Sequence, residues 1–228
     1  MLQIIIPPGT TKTGMRRCCR INKLAHPQRS EKRRSQEERR METRHRLVDA
    51  TIKLLYEKGA AQLTMEEVAR EAGLTRGAIQ YHFDSPKSLL VASIDEIASR
   101  LSQHLDANSL NKLPLDERID RVVDEYWAGF RGVNYTAFIE IAVRGRQDPE
   151  FEEAILSSLK PLEEERDIVW QAVFADSKRN REEIKSWRKT LLITLRGLAL
   201  TNMIPDENDK VSMQIDQFKA MFKKYLTE

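Results

Sequence analysis

The spacing of apolar residues along the chain is that of α-helices over most of its length. In the first regular stretch, Leu47, Thr51, Leu54 and Leu55 recur three or four positions apart, and Gly59 follows them. Residues spaced in this way share one face of a helix, and glycine just after the last of them is typical of a helix C-terminus. Runs of alternating β-branched residues, which would indicate strands, do not occur in the sequence. The pattern therefore predicts an all-α fold.

The predicted helices, about nine in number, divide into two groups. Residues 41–101 form a compact unit in which two short helices lie between two longer ones, and residues 106–228 form a bundle of long helices. The two most regular apolar stripes run from Ile184 to Leu198 and from Val211 to Tyr225, on the last two helices. Residues 1–40 have no sustained apolar period, so we expect a disordered arm there.

Charge is distributed unevenly between this arm and the rest of the chain. The formal net charge is +3, yet residues 15–46 hold 12 Lys and Arg against 4 Asp and Glu, whereas residues 47–228 hold 25 against 31. Basic side chains on an arm can displace the counterions of phosphates, which favours a polyanionic partner. A solvated tail with no partner accounts for the same composition, and the sequence leaves both interpretations open.

Signals for a membrane or a metal are weak in the sequence. The apolar start is short and lacks a basic flank, and no stretch approaches the roughly 18 apolar residues of a membrane helix. Cys18 and Cys19 are adjacent, which strains a disulfide, and together with His26 they have irregular spacing for a metal site. We therefore expect a cytoplasmic protein with no membrane partner, no metal and no cofactor. The candidate native starts are Met1, Met15 and Met41.

The clearest local signals lie between Thr64 and Phe83 and predict a helix-turn-helix. Thr64 and Glu67 have the spacing of a capping box, in which the hydroxyl and the carboxylate each satisfy a free amide at a helix start. Gly73 can take the left-handed conformation that ends this first helix, and Thr75 caps the second. A short turn containing glycine sets two helices at a steep angle, as in DNA-binding hairpins.

The second helix of this hairpin has one inward and one outward face. Ile79 and Phe83 lie one turn apart and belong to the core. The outward face is formed by small, polar and aromatic residues: Arg76, Gly77, Ala78, Gln80 and Tyr81. Glycine costs a helix about 1 kcal/mol relative to alanine, but it lets the backbone approach a partner closely. An ordinary hairpin within a bundle is the plainer interpretation, but it does not account for an exposed Tyr81 beside His82.

The residues from Leu63 to Phe83, with the turn Ala72-Gly73-Leu74-Thr75 and the triplet Tyr81-His82-Phe83, resemble the signature of the tetracycline-repressor (TetR) family. The similarity covers residues 41–101. It implies an all-helical homodimer whose helix-turn-helix, residues 64–83, reads a double-stranded DNA operator. It also implies that residues 106–228 bind a small-molecule effector and form the dimer through the last two helices.

Carried over position by position, the resemblance implies the DNA contacts. Phosphates would be met by Thr64, Met65, Thr75, Tyr81 and His82. Base edges would be met by Arg76, Gly77, Ala78 and Gln80, and an arginine can pair bidentately with guanine. The sequence departs from the family where Gln80 replaces a frequent aromatic residue. It departs again where Pro86 replaces a phosphate-binding lysine, and Lys87, one position later, takes its place among the DNA-binding candidates. The operator sequence therefore does not follow from the resemblance.

Aromatic residues concentrate in the middle helices, where we expect the effector. The candidate ligand-binding residues are Tyr126, Trp127, Phe130, Phe138, Glu140, Trp170, Phe174 and Arg196. Pockets are mostly apolar with a few polar anchors. Glu140 would anchor a cation or a hydroxyl, and Arg196 would anchor an acid. The alternative is an aromatic core whose charged groups pair with each other.

The leading functional hypothesis is a repressor that an inducer releases from a palindromic operator, with half-sites about one helical turn, ~34 Å, or a multiple of it apart. An inducer among the middle helices would shift the helix at residues 85–105 and change the spacing of the recognition helices. A regulator controlled by a protein partner, or one without any ligand, fits the same sequence. A helical-bundle enzyme needs a nucleophile–base pair or a metal cluster, whereas the four histidines are scattered, so we expect no catalytic residues.

Overall fold

The fold is taken from a computed structural model that describes residues 35–102, 105–203 and 208–228. Within these ranges lie ten α-helices, one 3-10 turn and no strand, which confirms the predicted all-α class. The helices are α1 (Gln36–Lys58), α2 (Met65–Glu71), α3 (Arg76–His82), α4 (Pro86–Ser102), α5 (Ala107–Leu110), α6 (Leu115–Phe130), α7 (Val133–Gly145), α8 (Pro149–Val173), α9 (Arg181–Thr201) and α10 (Asn208–Thr227). The 3-10 turn Ala60–Gln62 connects α1 to α2.

Helix ends follow the local signals closely. Ser85 accepts a hydrogen bond from the Ser88 amide at 3.1 Å and so begins α4 as expected. Gly59 follows α1 with a φ of 75°, a conformation that favours glycine. The helix α1 itself begins at Gln36, five positions before the predicted boundary at Met41. The last residues of the predicted arm therefore belong to this helix. The remaining predictions for the arm, including those for Cys18, Cys19 and His26, lie outside the described residues.

The first hydrophobic core joins α1–α4 to two helices of the second half. Helices α1, α2, α3 and α4 surround Leu47, Leu55, Val68 and Ile79, all of which are fully buried. From α7 and α8, Ile141 and other residues complete the same core. The core that buries the inner faces of α2 and α3 therefore continues into α7 and α8.

The second core is built from α6, α8, α9 and α10 and is rich in aromatic rings. Trp170 is fully buried, donates to the Ile184 carbonyl at 3.0 Å, and stacks with Phe222 at 6.0 Å between ring centroids. The two regular stripes predicted to form the dimer interface lie in this core. Buried members of these stripes are Ile184, Leu191, Leu195, Val211, Ile215, Phe218 and Phe222. Each helix therefore turns its most regular face into the protomer, and the dimer through the last two helices stays a prediction.

No helix in the described part of the chain combines the length and the apolar character needed to cross a bilayer.

Candidate functional site

The helix α3 presents the predicted outward face. Ile79 is fully buried and Phe83 is 3% exposed, whereas Tyr81 is 71% exposed. Gly77 faces open space, since a Cβ built on it would meet only the Thr75 hydroxyl, at 3.9 Å. The remaining base-edge candidates are exposed or, in the case of Ala78, half-buried. At Gly77 the backbone of α3 can therefore approach another surface closely.

The turn between α2 and α3 is held from outside the hairpin. Gly73 has a φ of 63°, which confirms the predicted left-handed residue. The Leu74 amide donates to the Ala69 carbonyl at 2.8 Å, closing the end of α2. From α1, the Arg46 guanidinium donates to the Ala72 carbonyl at 2.5 Å. The sequence indicated the turn but not this arginine, which fixes the angle of the hairpin relative to α1.

The predicted capping box at the start of α2 is only half present. The Glu67 amide donates to the Thr64 hydroxyl at 3.2 Å, as expected. The Glu67 carboxylate, however, accepts from Lys58 at 2.7 Å instead of capping the Thr64 amide. The pKa of Glu67 is lowered, mainly by this hydrogen bond to Lys58. The Glu67 carboxylate binds Lys58 because α1 ends at this lysine, close to the start of α2. The spacing of Thr64 and Glu67 alone does not reveal this contact. Of the other candidates near this helix start, Thr64 is exposed and Met65 packs against the first core.

Two arginines that the sequence analysis left out of the DNA-binding set lie beside α3. The guanidinium carbon of Arg40 is 5.9 Å from the centre of the Tyr81 ring, and that of Arg44 is 4.5 Å from the centre of the Phe83 ring. Burial lowers the pKa of His82, and the charges of Arg40 and Arg44 lower it further. The signal was available in the sequence, because residues four apart on α1 share one helical face.

Two of the predicted DNA-binding cations have carboxylate partners. Arg76 forms an ion pair with Glu66 at 2.9 Å, and both side chains are largely exposed, so solvent screens the pair. Lys87 lies 2.8 Å from Glu150 and 3.1 Å from Asp148, at the N-terminus of α8. The hydrogen bond to Glu150 is the main reason why the pKa of Lys87 is raised. Lys87 therefore contacts the start of α8, and its contact with a phosphate stays a prediction.

A cavity of about 90 Å³ lies between α4, α6, α7, α8 and α9. Four of the predicted ligand-binding residues line it: Tyr126, Phe130, Phe138 and Arg196. From α4, the cavity is lined by Ile97, Ala98 and Leu101. The volume is enough for several water molecules, and most of the wall is apolar or aromatic. The cavity therefore suits a small, mostly apolar molecule.

The other four predicted ligand-binding residues do not line the cavity. Trp170 and Phe174 are fully buried in the second core, and Trp127 packs against the same core. Glu140 faces the opposite side of α7, where its carboxylate accepts from the Ala60 amide at 2.8 Å. Aromatic content and helical spacing cannot distinguish a cavity wall from a filled core, and a role of these four residues in ligand binding stays a prediction.

A network of charged side chains, which the sequence did not predict, borders the cavity. Arg188 is 1% exposed and donates to Asp167 and to Glu163, each at 2.6 Å. Glu163 also accepts from Arg166 at 3.4 Å, and Arg166 donates to the Ala98 carbonyl at 3.1 Å. The network ties α8 to α9 and, through Ala98, to α4. The sequence gives little signal for it, because the partners lie far apart along the chain.

A pair of side chains on α7 clamps the turn that precedes α2. Glu140 accepts from the Ala60 amide, and Arg144 donates to the Ala60 carbonyl at 2.9 Å. A Cβ on Gly59 would lie 3.1 Å from the Glu140 carboxylate, so the close approach also depends on glycine at this position. The same helix supplies Phe138 to the cavity wall. Helix α7 thus contacts both the cavity and the entrance to the helix-turn-helix.

Groups of three or more His, Cys, Asp or Glu that could hold a metal ion are not found among the described residues.

Comparisons with known proteins agree with this architecture. The family model described as "Bacterial regulatory proteins, tetR family" matches residues 47–93. The HTH-type transcriptional regulator CymR of Pseudomonas putida is 25% identical over 181 residues, which are 79% of this chain and 89% of CymR. TtgW, an HTH-type transcriptional regulator of Pseudomonas putida, is 31% identical over 115 residues, which are 50% of this chain and 73% of TtgW. A crystal structure of a transcriptional regulator from Saccharomonospora viridis in complex with choline superposes with a TM-score of 0.58 and 14% identity, covering 82% of this chain and 99% of that one.

A helix-turn-helix with an exposed second helix, joined to a helical bundle with a cavity between its helices, defines a class of DNA-binding transcriptional regulators. Within that class the similarity to curated relatives is decisive. The chain belongs to the TetR family and is a DNA-binding transcriptional regulator.

Proposed function

We propose that this regulator is a repressor that a small molecule releases from a palindromic operator. The observation that carries the proposal is the composition of the cavity wall. Ile97, Ala98 and Leu101 of α4 form part of it, and α4 directly follows the recognition helix α3. A molecule in the cavity therefore contacts the helix that positions the DNA-reading face. Because DNA is the target, the proposed place of action is the cytoplasm.

The effector acts through a difference in affinity between two arrangements of these helices. One route from the cavity runs along α4, whose Ala98 carbonyl accepts from Arg166. A second route runs along α7, from Phe138 in the cavity wall to Glu140 and the Ala60 amide. The Saccharomonospora viridis relative was crystallised with choline, which supports a small-molecule effector for this fold.

The proposed dimer contact uses the faces of α9 and α10 that the protomer leaves open. On α9, Ile193 is 70% exposed and Leu200 45% exposed, and no atom lies within 4 Å of a Cβ built on Gly197 between them. On α10, Met213 and Met221 are each more than 60% exposed. Helices that are apolar on two faces need a second partner, and a second copy of the same helices closes a symmetric interface. Ile193→Lys should shift the protein to a monomer in sedimentation experiments.

The proposed DNA contacts are those of α3 and its surroundings. The candidates that the resemblance names are joined by Arg40 and Arg44, whose charges lie beside Tyr81 and Phe83. Lys87 reaches a phosphate only if it leaves Asp148 and Glu150. The acidic start of α8 then competes with DNA for this lysine.

A gel-shift experiment with the DNA upstream of the protein's own gene tests the proposal. We expect a specific complex at about 100 mM salt, where a specific site holds and non-specific binding is weak. Arg76→Ala should weaken the specific complex by about 1–3 kcal/mol while changing non-specific binding little. Arg70→Ala is the matched control, since Arg70 is an exposed arginine on α2. Absence of any specific complex at this salt concentration would contradict the proposal.

A further inference from the structure

Arg196 is a charged residue of the cavity wall that has no ion-pair partner among the described residues. Arg196 extends from α9 into the cavity wall, where its guanidinium carbon is 5.7 Å from the centre of the Phe130 ring. Its Nε is buried and has no hydrogen-bond partner. The described side chains form no ion pair with it. Arg196 as a whole is half-buried, but a buried N–H donor without an acceptor is unfavourable, which indicates that a partner is missing at Nε.

The other charged groups around the cavity are already paired or exposed. Glu163 accepts from Arg188 and Arg166, and Glu125 accepts from Arg121 at 2.7 Å through one of its two oxygens. Glu165, on the rim, is exposed. The second Glu125 oxygen is buried without a partner, so it offers a competing anchor for a cation. Glu125 is ion-paired with Arg121, whereas Arg196 has no ion-pair partner among the described residues.

The surroundings of Arg196 suit an acid with an apolar body. Burial raises the pKa of Tyr135, while the nearby charge of Arg196 lowers it, and the phenol therefore remains a hydrogen-bond donor at neutral pH. The Tyr135 ring lies 4.8 Å from that of Phe130 and 6.1 Å from that of Phe138, measured between centroids. Arginine and phenol both donate to a carboxylate, and the rings offer apolar contact.

We infer that the effector is a small carboxylic acid with an aromatic or aliphatic body, whose carboxylate pairs with Arg196 and whose body packs against Phe130, Tyr135 and Phe138. This inference rests on the proposed function, because it assigns a ligand class to the same cavity. A carboxylate can accept from the guanidinium and supply the counter-charge, next to a wall that is mostly apolar or aromatic.

Thermal-shift titrations of the full chain without DNA test the inference. The probes are phenylpropionate and octanoate, each beside its neutral amide and its primary amine, so that only the charge of the head group changes. We expect both acids to raise Tm more than their amides or amines, because ligands of the folded state stabilise it by mass action. Affinities from calorimetry should favour acid over amide by about ten- to hundredfold, the range for a hydrogen bond to a charged group.

Variants of Arg196 separate pairing from packing. Arg196→Met should abolish the preference for acid over amide, while Arg196→Lys should keep part of it. Arg181→Met, the same change at an exposed site on α9, should leave the preference unchanged.

The inference is overturned if no acid binds, if the amines bind best, or if the folded Arg196→Met protein keeps the preference. These measurements need no operator, so a missing DNA complex counts against the proposed function alone. A protein that binds DNA but no acid counts against the ligand class alone.

Discussion

The DNA-reading end, α1–α4, and the helical bundle α5–α10, which we call the effector half after its proposed function, differ in how their helices are held. At the DNA-reading end, α2 and α3 are seven residues each, begin at a capping threonine, and bury small aliphatic side chains such as Val68 and Ala69. In the effector half, α8 and α9 are 25 and 21 residues long and are joined by buried aromatic rings and by Arg188. Local signals therefore dominate the first region, and contacts between distant residues dominate the second.

This difference has a functional counterpart. Short capped helices keep their polar face exposed, as a DNA-reading surface requires. Long helices with buried charges can enclose a cavity and still hold their positions around it. Helix α7 contacts both regions, through Ile141 in the first core and Tyr135 in the second.

The largest expected effect is in the effector half. Arg188→Met removes the partner of Glu163 and Asp167 and should lower the free energy of unfolding by about 3 kcal/mol. This value is the lower end of the range for breaking a buried ion pair, because both carboxylates are partly exposed. Urea unfolding measures this. Lys185→Met, which removes a more exposed partner of Asp167, should lower it by less than about 1 kcal/mol. Equal losses of unfolding free energy in the Arg188 and Lys185 variants would contradict the view that the burial of Arg188 makes its ion pairs stronger.

The contact between the two regions should give the next largest effect. Glu140→Leu removes the acceptor for the Ala60 amide and should lower the free energy of unfolding by about 1–2 kcal/mol. Hydrogen–deuterium exchange should speed up in peptides covering residues 60–75 and stay unchanged in α9. Glu140→Gln keeps an oxygen acceptor and should show a smaller change. Unchanged exchange at residues 60–75 in the leucine variant would mean that α7 does not hold the helix-turn-helix.

Two glycines of the DNA-reading end should respond in opposite directions. Gly73→Ala places a side chain at a φ of 63° and should lower the free energy of unfolding by about 1 kcal/mol. Gly77→Ala, on the exposed face of α3, should raise it by up to about 1 kcal/mol while weakening the DNA complex. Unfolding curves and gel shifts on the same two proteins check this. Gly77→Ala with unchanged DNA affinity would remove Gly77 from the DNA contact.

The smallest expected effect concerns pH and an ion pair at the edge of the effector half. A hydrogen bond from Arg118 lowers the pKa of the Asp176 carboxyl in the folded protein. The stabilisation by this ion pair is therefore fully present above the unfolded pKa of Asp, about 3.9, and is lost as the pH falls through the folded pKa. Asp176 is largely exposed, and Asp176→Asn should lower the free energy of unfolding at neutral pH by less than about 1 kcal/mol. Urea unfolding at neutral pH and at about pH 3 should show a smaller acid-induced loss for the variant. An equal loss in both proteins would rule out this pair as a source of the pH dependence.

The two regions also differ in how well local spacing in the sequence predicts the positions of their side chains. Thr75, Gly73 and Ile79 were placed correctly because capping, a left-handed turn and a buried helical face depend on neighbours within a few positions. Glu140 and Trp170 were placed in the cavity and are not there, because helical spacing does not say which of several neighbouring helices a face meets.

The sequence by itself determined the all-α class, the helix-turn-helix with its exposed recognition face, and the family, since all three depend on short-range spacing of caps, glycines and apolar residues. Only the tertiary structure decided which side chains enclose the cavity, that Lys87 pairs with α8, and that Glu140 holds the turn before α2. Arg196 illustrates the boundary. Its place among apolar residues in the sequence made it a candidate ligand-binding residue. Only the packing of distant helices shows that it lies over the Phe130 ring with a buried Nε that has no hydrogen-bond partner. Pairing between residues far apart in the chain is a property of packing, and no local pattern encodes it.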